Sequence, residues 1–261
     1  MVVYREFFPT KSLAKFVYCY WYFEDPKPVG TETIVPDARP EFVIHLGSPF
    51  VELKNERQQS RAFFAGQLTE PLMLRPTGPV SFWGVRFRPD GSRLFLGDSV
   101  FEATNKRIDL FGAKDRGVAE LWGRLDSLPK RTDGVQLIEE YLKLWIGRGD
   151  YDPVVRAAVD SVLEDHAAVI EHALTDRQFQ RRFKKEVGVS LRTFRRIRRF
   201  RSVFDRMRRF ENETWVSRAL EAGYFDQPQL VRDFNQFLGI SPTEWIEQQD
   251  GLGKALGNSK G

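Results

Sequence analysis

One stretch near the C-terminal end, residues 223–245 (GYFDQPQLVRDFNQFLGISPTEW), constrains the fold of this chain more than any other. Asp226 is a candidate N-cap, because Asp is a preferred residue at the start of helices. Gln229 stands three residues later, where its side chain can reach back to the backbone of Asp226. Apolar residues then recur at helical intervals, at Leu230, Phe234 and Phe237. The pattern predicts a short helix that buries this apolar side and ends near Gly239.

The other side of this predicted helix is polar, with Gln227, Gln229, Arg232 and Asn235. Gln and Asn can form paired hydrogen bonds with adenine, Arg can do so with guanine, and a helix fits the major groove of DNA. Upstream, residues 215–222 have helical spacing, and Gly223 allows a sharp corner between two helices. The stretch therefore predicts a helix-turn-helix unit whose second helix reads bases.

The same stretch resembles the signature of AraC/XylS-type transcriptional regulators. The shared features are a Gly-aromatic corner, Asp-Gln at the start of the recognition helix, Arg-x-Phe within it, and Gly-x-Ser-Pro followed by an aromatic residue. The resemblance covers roughly the last hundred residues, the usual size of one small domain. It implies an all-α DNA-binding domain with two helix-turn-helix units joined by a long helix.

A second unit is therefore expected upstream. Residues 175–190 (TDRQFQRRFKKEVGVS) are similar to the family's first recognition helix and the turn after it. Thr175 is the predicted cap of this helix, with Gln178 at the capping-box position. A short helix is predicted over 166–172, and Ala173 departs from the family pattern because it stands at the corner where Gly is expected.

Six residues of the two predicted recognition helices are expected to contact bases. Those of the first helix are Arg177, Gln180 and Arg181, and those of the second are Gln227, Gln229 and Arg232. For each of them, the alternative is an ordinary solvated helix residue.

The helix between the two units is predicted to start near Ser190. Its apolar stripe consists of Phe194, Ile197, Phe200, Phe204 and Met207. A helix of about 18 residues is about 27 Å long, close to the ~34 Å between successive major-groove faces on one side of B-DNA. One chain can therefore place two recognition helices in adjacent grooves.

The charge is unevenly placed along the chain. Residues 177–209 hold fourteen Lys or Arg and only two acidic residues, whereas residues 1–150 hold 21 basic and 20 acidic residues. A neutral half joined to a basic half is typical of a sensing or assembly domain fused to a nucleic-acid reader. We expect most of the remaining basic residues between 182 and 209 to hold phosphates or to lie in solvent.

The first 100 residues are predicted to be β structure. Short β-branched and aromatic runs, separated by turn residues, occur at 17–23, 32–35, 42–46, 63–67, 72–74 and 81–87. The predicted fold class is α+β, with an N-terminal β-sandwich or cupin-like barrel with trailing helices, followed by the all-α double helix-turn-helix domain. The predicted domains are 1–148 and 149–247, with a disordered tail over 248–261.

Three segments, VPDARPEFVIHLG (35–47), FFAGQLTEP (63–71) and WGVRFRPDG (83–91), resemble an uncharacterised cupin-like module found at this position in such regulators. Between 92 and 148 the apolar period becomes helical, and two helices are predicted, the second opening at Asp133. Their apolar positions are Leu121, Leu125, Val135, Ile138, Tyr141, Leu142 and Trp145. These apolar residues pack either on the β-domain or in a homodimer interface. The resemblance favours the homodimer interface.

The β-region also contains candidate ligand residues, namely Tyr22, His45, Trp83 and Arg86. Aromatic residues can line an apolar effector pocket, but the interpretation that we favour is that they belong to the core. Arg86 and Arg88 alternate with apolar residues, so we expect them to share one face of the sheet. This face either binds an anionic effector or is exposed to solvent. The sequence leaves open whether this half binds a small molecule or only pairs protomers.

An enzyme is not expected. A metal-dependent cupin needs several His ligands, and only His45 of the three histidines lies in the β-region. We therefore predict no catalytic residues, no metal and no cofactor. Two alternatives remain, a DNA-modification or repair enzyme with an AraC-like reader, and a sensor or assembly protein whose DNA binding has degenerated.

Partners and location follow from the same features. Double-stranded DNA is the predicted partner, with a small-molecule effector and a homodimer as further candidates. The chain has no apolar run of about 18 residues or more, and its N-terminus lacks the core of a signal peptide. Cys19 is the single cysteine, which suits a reducing compartment. We expect a cytoplasmic protein without a membrane partner.

Overall fold

The computed structural model of the chain describes residues 1–113, 117–146, 150–164, 173–209 and 219–247. The helix predicted over 166–172, most of the helix predicted over 215–222, and the tail predicted over 248–261 lie outside the described residues. The described part has a β-rich N-terminal half and a helical C-terminal half, which confirms the predicted α+β fold class.

Two antiparallel sheets form the N-terminal half. Their strands are β1 Val3–Phe7, β2 Val17–Asp25, β3 Glu32–Ile34, β4 Glu41–His45, β5 Val51–Glu52, β6 Arg57–Gln58, β7 Ala62–Ala65, β8 Leu72–Arg75, β9 Val80–Phe87 and β10 Arg107–Asp109. The larger sheet has the order β1-β2-β9-β4-β7-β10, and the smaller sheet has the order β3-β8-β5-β6. The strands predicted from sequence correspond to β2, β3, β4, β7, β8 and β9, and the prediction missed the other four.

Each face of the larger sheet has its own core, because side chains alternate along a strand. Phe82 and Val43 belong to a cluster with Leu74 of the smaller sheet, so this face forms the interior of a sandwich. Trp83 and Val85 belong to a cluster on the opposite face. Three helices contribute to that cluster: α1 Arg93–Leu96, α2 Val118–Asp126 and α3 Val135–Ile146.

The apolar stripes of α2 and α3 pack on their own domain. Leu121, Leu125, Ile138 and Leu142 are buried in the cluster that contains Trp83. These residues therefore build the domain core, and the homodimer stays a prediction with no residues assigned to it. The start of α3 differs slightly from the prediction, because a 3₁₀ turn occupies Arg131–Asp133 before the α-helix begins.

The helical half consists of α4 Pro153–Leu163, α5 Asp176–Val187, α6 Leu191–Arg209, α7 Gln227–Leu238 and α8 Pro242–Glu247, and residues 219–221 are also helical. One cluster joins these helices and includes Val159, Phe179, Phe183, Phe194, Ile197, Phe200, Leu230, Phe234 and Phe237. The predicted inward face of the second recognition helix is thus confirmed, and the first recognition helix buries Phe179 and Phe183 in the same core. The side chains of Phe204 and Met207 lie outside the described part.

The N-terminal half adds one residue to this helical core. Ala38, in the loop between β3 and β4, is 1% exposed and packs in the helical cluster. Its φ of 65° is unusual for a residue with a side chain. The Gln67 side-chain amide donates to the carbonyl oxygen of Ala38 at 3.2 Å, which helps to hold the loop in this conformation.

Polar contacts also join the two halves. The guanidinium of Arg156 in α4 lies 2.5 Å from the carboxylate of Asp90, which is 1% exposed. Arg93 lies 2.9 Å from the carboxylate of Glu186 at the end of α5. The halves therefore contact each other through ion pairs as well as through apolar packing.

Candidate nucleic-acid interface

The first recognition helix, α5, begins with the predicted capping box. The backbone N–H of Gln178 donates to Thr175 Oγ1 at 3.3 Å, and the backbone N–H of Thr175 donates to Gln178 Oε1 at 2.9 Å. Gly188 ends the helix in the left-handed conformation, with φ of 90°. The three candidate base-reading residues of this helix, Arg177, Gln180 and Arg181, are all exposed.

The second recognition helix, α7, follows a corner at Gly223, whose φ of 78° requires the freedom of glycine. Asp226 caps the helix, because its Oδ1 accepts from the backbone N–H of Gln229 at 2.7 Å. Gln227 and Arg232 are exposed, as is Asn235. The helix thus presents polar side chains on one side while the other side lies in the core.

Gln229 differs from the other candidates because it is half-buried. Its Oε1 accepts a hydrogen bond from the backbone N–H of Phe225 at 3.1 Å. The predicted partner was the backbone of Asp226, and the structure corrects it to the preceding residue. A bidentate contact with adenine uses both ends of the amide, so Gln229 would have to share or release this bond, and its role in base reading stays a prediction.

A buried carboxylate connects α7 to α6, and sequence reasoning missed it. Asp233 is 1% exposed and accepts from Arg196 at 2.5 Å and from Arg199 at 3.1 Å. The hydroxyl of Tyr224 donates to the same carboxylate at 3.0 Å. Arg196 and Arg199 were expected to hold phosphates or to lie in solvent, and the structure pairs both with Asp233 instead. The only signal in the sequence was an acidic residue, Asp233, inside a helix that was expected to pack against the arginine-rich helix α6.

Other basic residues of the domain are also paired. Arg182 lies 3.4 Å from the carboxylate of Asp152, and Lys185 lies 3.0 Å from that of Asp98 in the N-terminal half. Arg192 and Arg195 of α6 are exposed. The basic surface that can meet phosphates is therefore smaller than the sequence count suggested.

The four ligand candidates do not line one pocket. Tyr22 and Trp83 lie opposite each other in the register of β2 and β9 and belong to the cluster beneath the helices. His45 and Arg86 point to the other face, between the sheets, since they alternate with residues of that cluster along β4 and β9. The sheet itself separates the two pairs, so a ligand can meet one pair and not both.

His45 is enclosed by aromatic rings. Its ring centroid lies 5.4 to 5.9 Å from those of Phe50, Phe63 and Phe82, and its Nε2 is 3.1 Å from Gln59 Oε1. Burial lowers the pKa of His45 to about 4. The ring is therefore neutral near pH 7 and forms part of the sandwich interior.

Arg86 lies in a partly buried group of charges at the other end of the same face. It donates from Nε to Glu41 Oε1 at 2.8 Å, and carboxylate oxygens of Glu6 and Asp37 lie at 3.8 and 4.0 Å. The expectation that Arg86 and Arg88 share a sheet face is wrong, because β9 ends at Phe87 and Arg88 forms an ion pair with Asp160 of α4.

A cavity of about 310 Å³ lies where the two halves meet. Its walls include Tyr18, Arg39 and Arg88 from the N-terminal half and Asp160, Leu163 and Arg198 from α4 and α6. The guanidinium of Arg39 lies 3.6 Å from the centroid of the Tyr18 ring. The cavity thus joins charged groups of both halves.

Within the described residues, no three His, Cys, Asp or Glu side chains come together in a way that could hold a metal ion. Across those residues, no helix has both the length and the apolar character needed to cross a bilayer.

Two family models match separate parts of the chain. Residues 171–248 match a family described as "Helix-turn-helix domain", and residues 5–109 match one described as "Domain of unknown function (DUF6597)". A comparison with curated proteins found no match.

Solved structures with a distant likeness include ToxT from Vibrio cholerae. One has a TM-score of 0.41 at 10% identity, covering 95% of this chain and 97% of that chain. Another, of ToxT with a bound unsaturated fatty acid, has a TM-score of 0.39 at 12% identity and covers 86% and 93%. A likeness at this level does not transfer the ligand of ToxT to this chain. The family match and the two capped helices, however, confirm the resemblance noted in the sequence: the chain carries a C-terminal helix-turn-helix domain of the AraC type, the DNA-binding domain of transcription regulators, behind an N-terminal β-domain.

Proposed function

We propose that the protein is a sequence-specific transcription regulator that places α5 and α7 in successive major grooves of DNA. The observation that carries this proposal is the shared design of the two helices. Each buries aromatic residues in one common core and exposes Gln and Arg on the opposite side. A helix with this division can enter a groove without disturbing the domain that holds it.

The length of α6 supports the spacing that two grooves require. Its 19 residues correspond to about 28 Å of helix, compared with ~34 Å between successive major-groove faces. A modest bend of the DNA brings the two grooves closer together and would add sequence preference at bases that the protein does not touch.

The side chains divide into two roles under this proposal. Arg177, Gln180 and Arg181 read bases in one groove, and Gln227, Gln229 and Arg232 read bases in the next. Arg192 and Arg195 are exposed on the connecting helix, and we assign them to phosphates. Phosphate contacts position the protein, and base contacts give it specificity.

The test is a selection of random duplex DNA by the purified full-length protein at two salt concentrations. We expect an enriched motif of two short blocks about one helical turn apart. A palindromic doubling of the motif would indicate a homodimer. Retention that disappears with salt and enriches no sequence would refute base reading and favour the degenerate-sensor alternative. Incubation of the selected DNA with the protein, followed by mass analysis, tests the enzyme alternative.

We further propose that a small molecule controls the regulator from the cavity between the two halves. Groups of both halves form its walls, so a ligand there contacts the N-terminal domain and the DNA-binding domain together. A ligand shifts the balance between two arrangements of the domains only if it binds one of them better than the other. A site at their junction satisfies this condition more directly than one inside the sandwich.

Thermal unfolding of the full chain with a panel of small carboxylates and phosphates tests the control proposal. A true effector raises the unfolding temperature and changes the affinity for the selected DNA. Leu163→Trp should fill the cavity and abolish both effects, whereas Leu144→Trp, at a residue 66% exposed on α3, should leave them intact. Equal responses in the two variants would exclude this cavity as the site.

A further inference from the structure

The buried carboxylate of Asp233 connects three parts of the second helix-turn-helix unit. It belongs to α7, and it accepts hydrogen bonds from Arg196 and Arg199 of α6 and from Tyr224 at the corner before α7. The side chain of Asp233 is 2% exposed, and those of Arg196 and Arg199 are 32% and 23% exposed. One side chain therefore fixes α7 against both the connecting helix and its own corner.

Secondary contacts hold the two arginines in place. Arg196 also donates to Gln236 Oε1 at 2.7 Å and lies 5.4 Å from the centroid of the Phe237 ring. Arg199 lies 4.3 Å from the centroid of the Tyr224 ring. Burial raises the pKa of Tyr224 above its ordinary value, and the neighbouring Asp233 adds to the effect, so the phenol stays protonated and keeps donating.

The position of Asp233 gives this group of contacts a consequence for base reading. Asp233 follows Arg232 directly, and successive residues of a helix differ by about 100° around its axis. A small rotation of α7 would therefore move Arg232 and Gln227 away from base edges. Phosphate contacts tolerate such a change better, because a phosphate accepts hydrogen bonds from a wider range of directions than a base edge.

The same carboxylate also limits non-specific binding. If the pairing with Asp233 were lost, the two guanidinium groups would be attracted to DNA phosphates, and each phosphate contact steepens the salt dependence of binding. While paired with Asp233, Arg196 and Arg199 are held toward α7. Asp233 thus orients α7, and it also keeps Arg196 and Arg199 from contacting DNA phosphates, which are the contacts that do not depend on sequence.

We propose that Asp233 is a positioning residue that determines the sequence selectivity of the second recognition helix without touching DNA. The inference rests on the proposed function, since selectivity presupposes DNA binding. It predicts that removing the charge changes two quantities in opposite directions. Affinity for random DNA rises, and the ratio of specific to random affinity falls. A purely structural role would lower both affinities together.

The experiment uses the full-length chain and the isosteric variant Asp233→Asn. Binding to the selected duplex and to a scrambled duplex of equal length is measured by fluorescence anisotropy at several salt concentrations. We expect the affinity for scrambled DNA to rise at least threefold, with a steeper salt dependence by about one or two phosphate contacts. The ratio of specific to scrambled affinity should fall about tenfold, the equivalent of one base contact.

Asp152→Asn is the matched control. It makes the same change of charge and also releases an arginine, since Asp152 pairs with Arg182 at 3.4 Å. Asn remains a good helix cap, so α4 keeps its start. This variant should bind scrambled DNA more tightly and keep the preference of the parent for the selected duplex. An equal loss of preference in both variants would overturn the positioning role, because charge alone would then explain the loss.

Hydrogen exchange of the free protein tests the inference without DNA. In Asp233→Asn the amides of α7 and of residues 224–226 should exchange faster, whereas those of α5 should not change. Unaltered exchange in α7 would overturn the proposal, whatever the result of the DNA-binding measurements. Faster exchange with an unchanged preference for the selected duplex would overturn it too. If the parent protein itself shows no preference between duplexes, the proposed function fails, and the exchange data still decide whether Asp233 holds α7.

Discussion

At the scale of single residues, Arg232 offers the most direct test of base reading. Its side chain is exposed on the outer side of α7, and the neighbouring Asp233 holds that helix against α6. If Arg232 donates two hydrogen bonds to one guanine, Arg232→Ala should weaken specific binding by about 1 to 3 kcal/mol and relax the preference at one base pair. Repeating the duplex selection with the variant measures both effects.

Arg192→Ala provides the comparison for that prediction. Arg192 is also an exposed arginine, but it lies on the connecting helix. As a phosphate contact, its loss should weaken binding to all sequences alike and reduce the salt slope by about one. A motif that is identical after Arg232→Ala and after Arg192→Ala would remove Arg232 from the base-reading set.

His45 leads to a prediction about pH. Its pKa is about 4 in the folded protein, below the ordinary histidine pKa of 6.5 that applies to the unfolded chain. The unfolded chain therefore binds the proton more strongly, and the stability from neutral His45 is present above pH 6.5 and is lost as the pH falls toward 4. At pH 5 the loss should be about 2 kcal/mol relative to neutral pH.

His45→Gln removes this titration and can keep a hydrogen bond with Gln59. Urea unfolding at pH 7, 6 and 5 measures the effect as the difference in unfolding free energy between parent and variant. This difference should shift in favour of the variant by about 2 kcal/mol between pH 7 and pH 5. A difference that is independent of pH would show that His45 does not titrate in this range.

At the scale of elements, the helix caps illustrate what local sequence determines. Thr175 and Asp226 were predicted as caps, and both accept the expected backbone hydrogen bond. A cap depends only on residues within one turn, so the signal is contained in a short window of sequence. The same holds for Gly223 and Gly239, whose positive φ values mark the ends of helical segments.

Contacts between distant segments were harder to predict. The two-residue strands β5 and β6 form through pairing with partners elsewhere in the smaller sheet, and such pairing depends on tertiary context more than on local propensity. The pairing of Asp233 with Arg196 and Arg199 spans α6 and α7, and no periodic pattern reveals it. Local patterns therefore predicted the recognition helices, and tertiary structure was needed to show which arginines are occupied.

The capping box of α5 is also testable as an element. Thr175→Ala removes the acceptor for the Gln178 N–H and should cost about 0.5 to 2 kcal/mol of stability. Thr175→Ser keeps the hydroxyl and should restore most of the loss. Hydrogen exchange should be faster in the first turn of α5 for the Ala variant and nearly unchanged for the Ser variant. Similar exchange in the two variants would mean that the cap does not stabilise this helix.

At the scale of the whole molecule, the two halves are joined by apolar packing and by ion pairs in addition to the connecting chain. Ala38 from the β-domain packs in the helical core, and Arg156 of α4 pairs with the buried carboxylate of Asp90. Arg156 also donates to the carbonyl oxygen of Lys15 at 2.6 Å. Shared packing and a buried ion pair couple the stability of the two halves, so we expect the parent protein to unfold in one transition.

Arg156→Ala should break this coupling. The variant leaves Asp90 buried without its guanidinium partner, and loss of one partner of a buried pair costs about 3 to 5 kcal/mol. Four tryptophans, Trp21, Trp83, Trp122 and Trp145, lie in the N-terminal half, so their fluorescence reports mainly on that half, while circular dichroism at the helical band reports mainly on the other. The two signals should coincide during urea unfolding of the parent and separate in the variant.

Arg124→Ala is the control for that measurement, because Arg124 pairs with Glu140 on the surface of the N-terminal half, where both side chains are about half exposed. Loss of such a pair costs about 1 kcal/mol or less, and the two signals should stay together. Separation of the signals in Arg156→Ala alone would show that the buried pair joins the DNA-binding domain to the β-domain. Coincident signals in both variants would mean that the remaining contacts between the halves, which are the packing around Ala38 and ion pairs such as that of Arg93 with Glu186, suffice for the coupling. A ligand in the boundary cavity would then have to act on those contacts and not on the pair of Arg156 with Asp90.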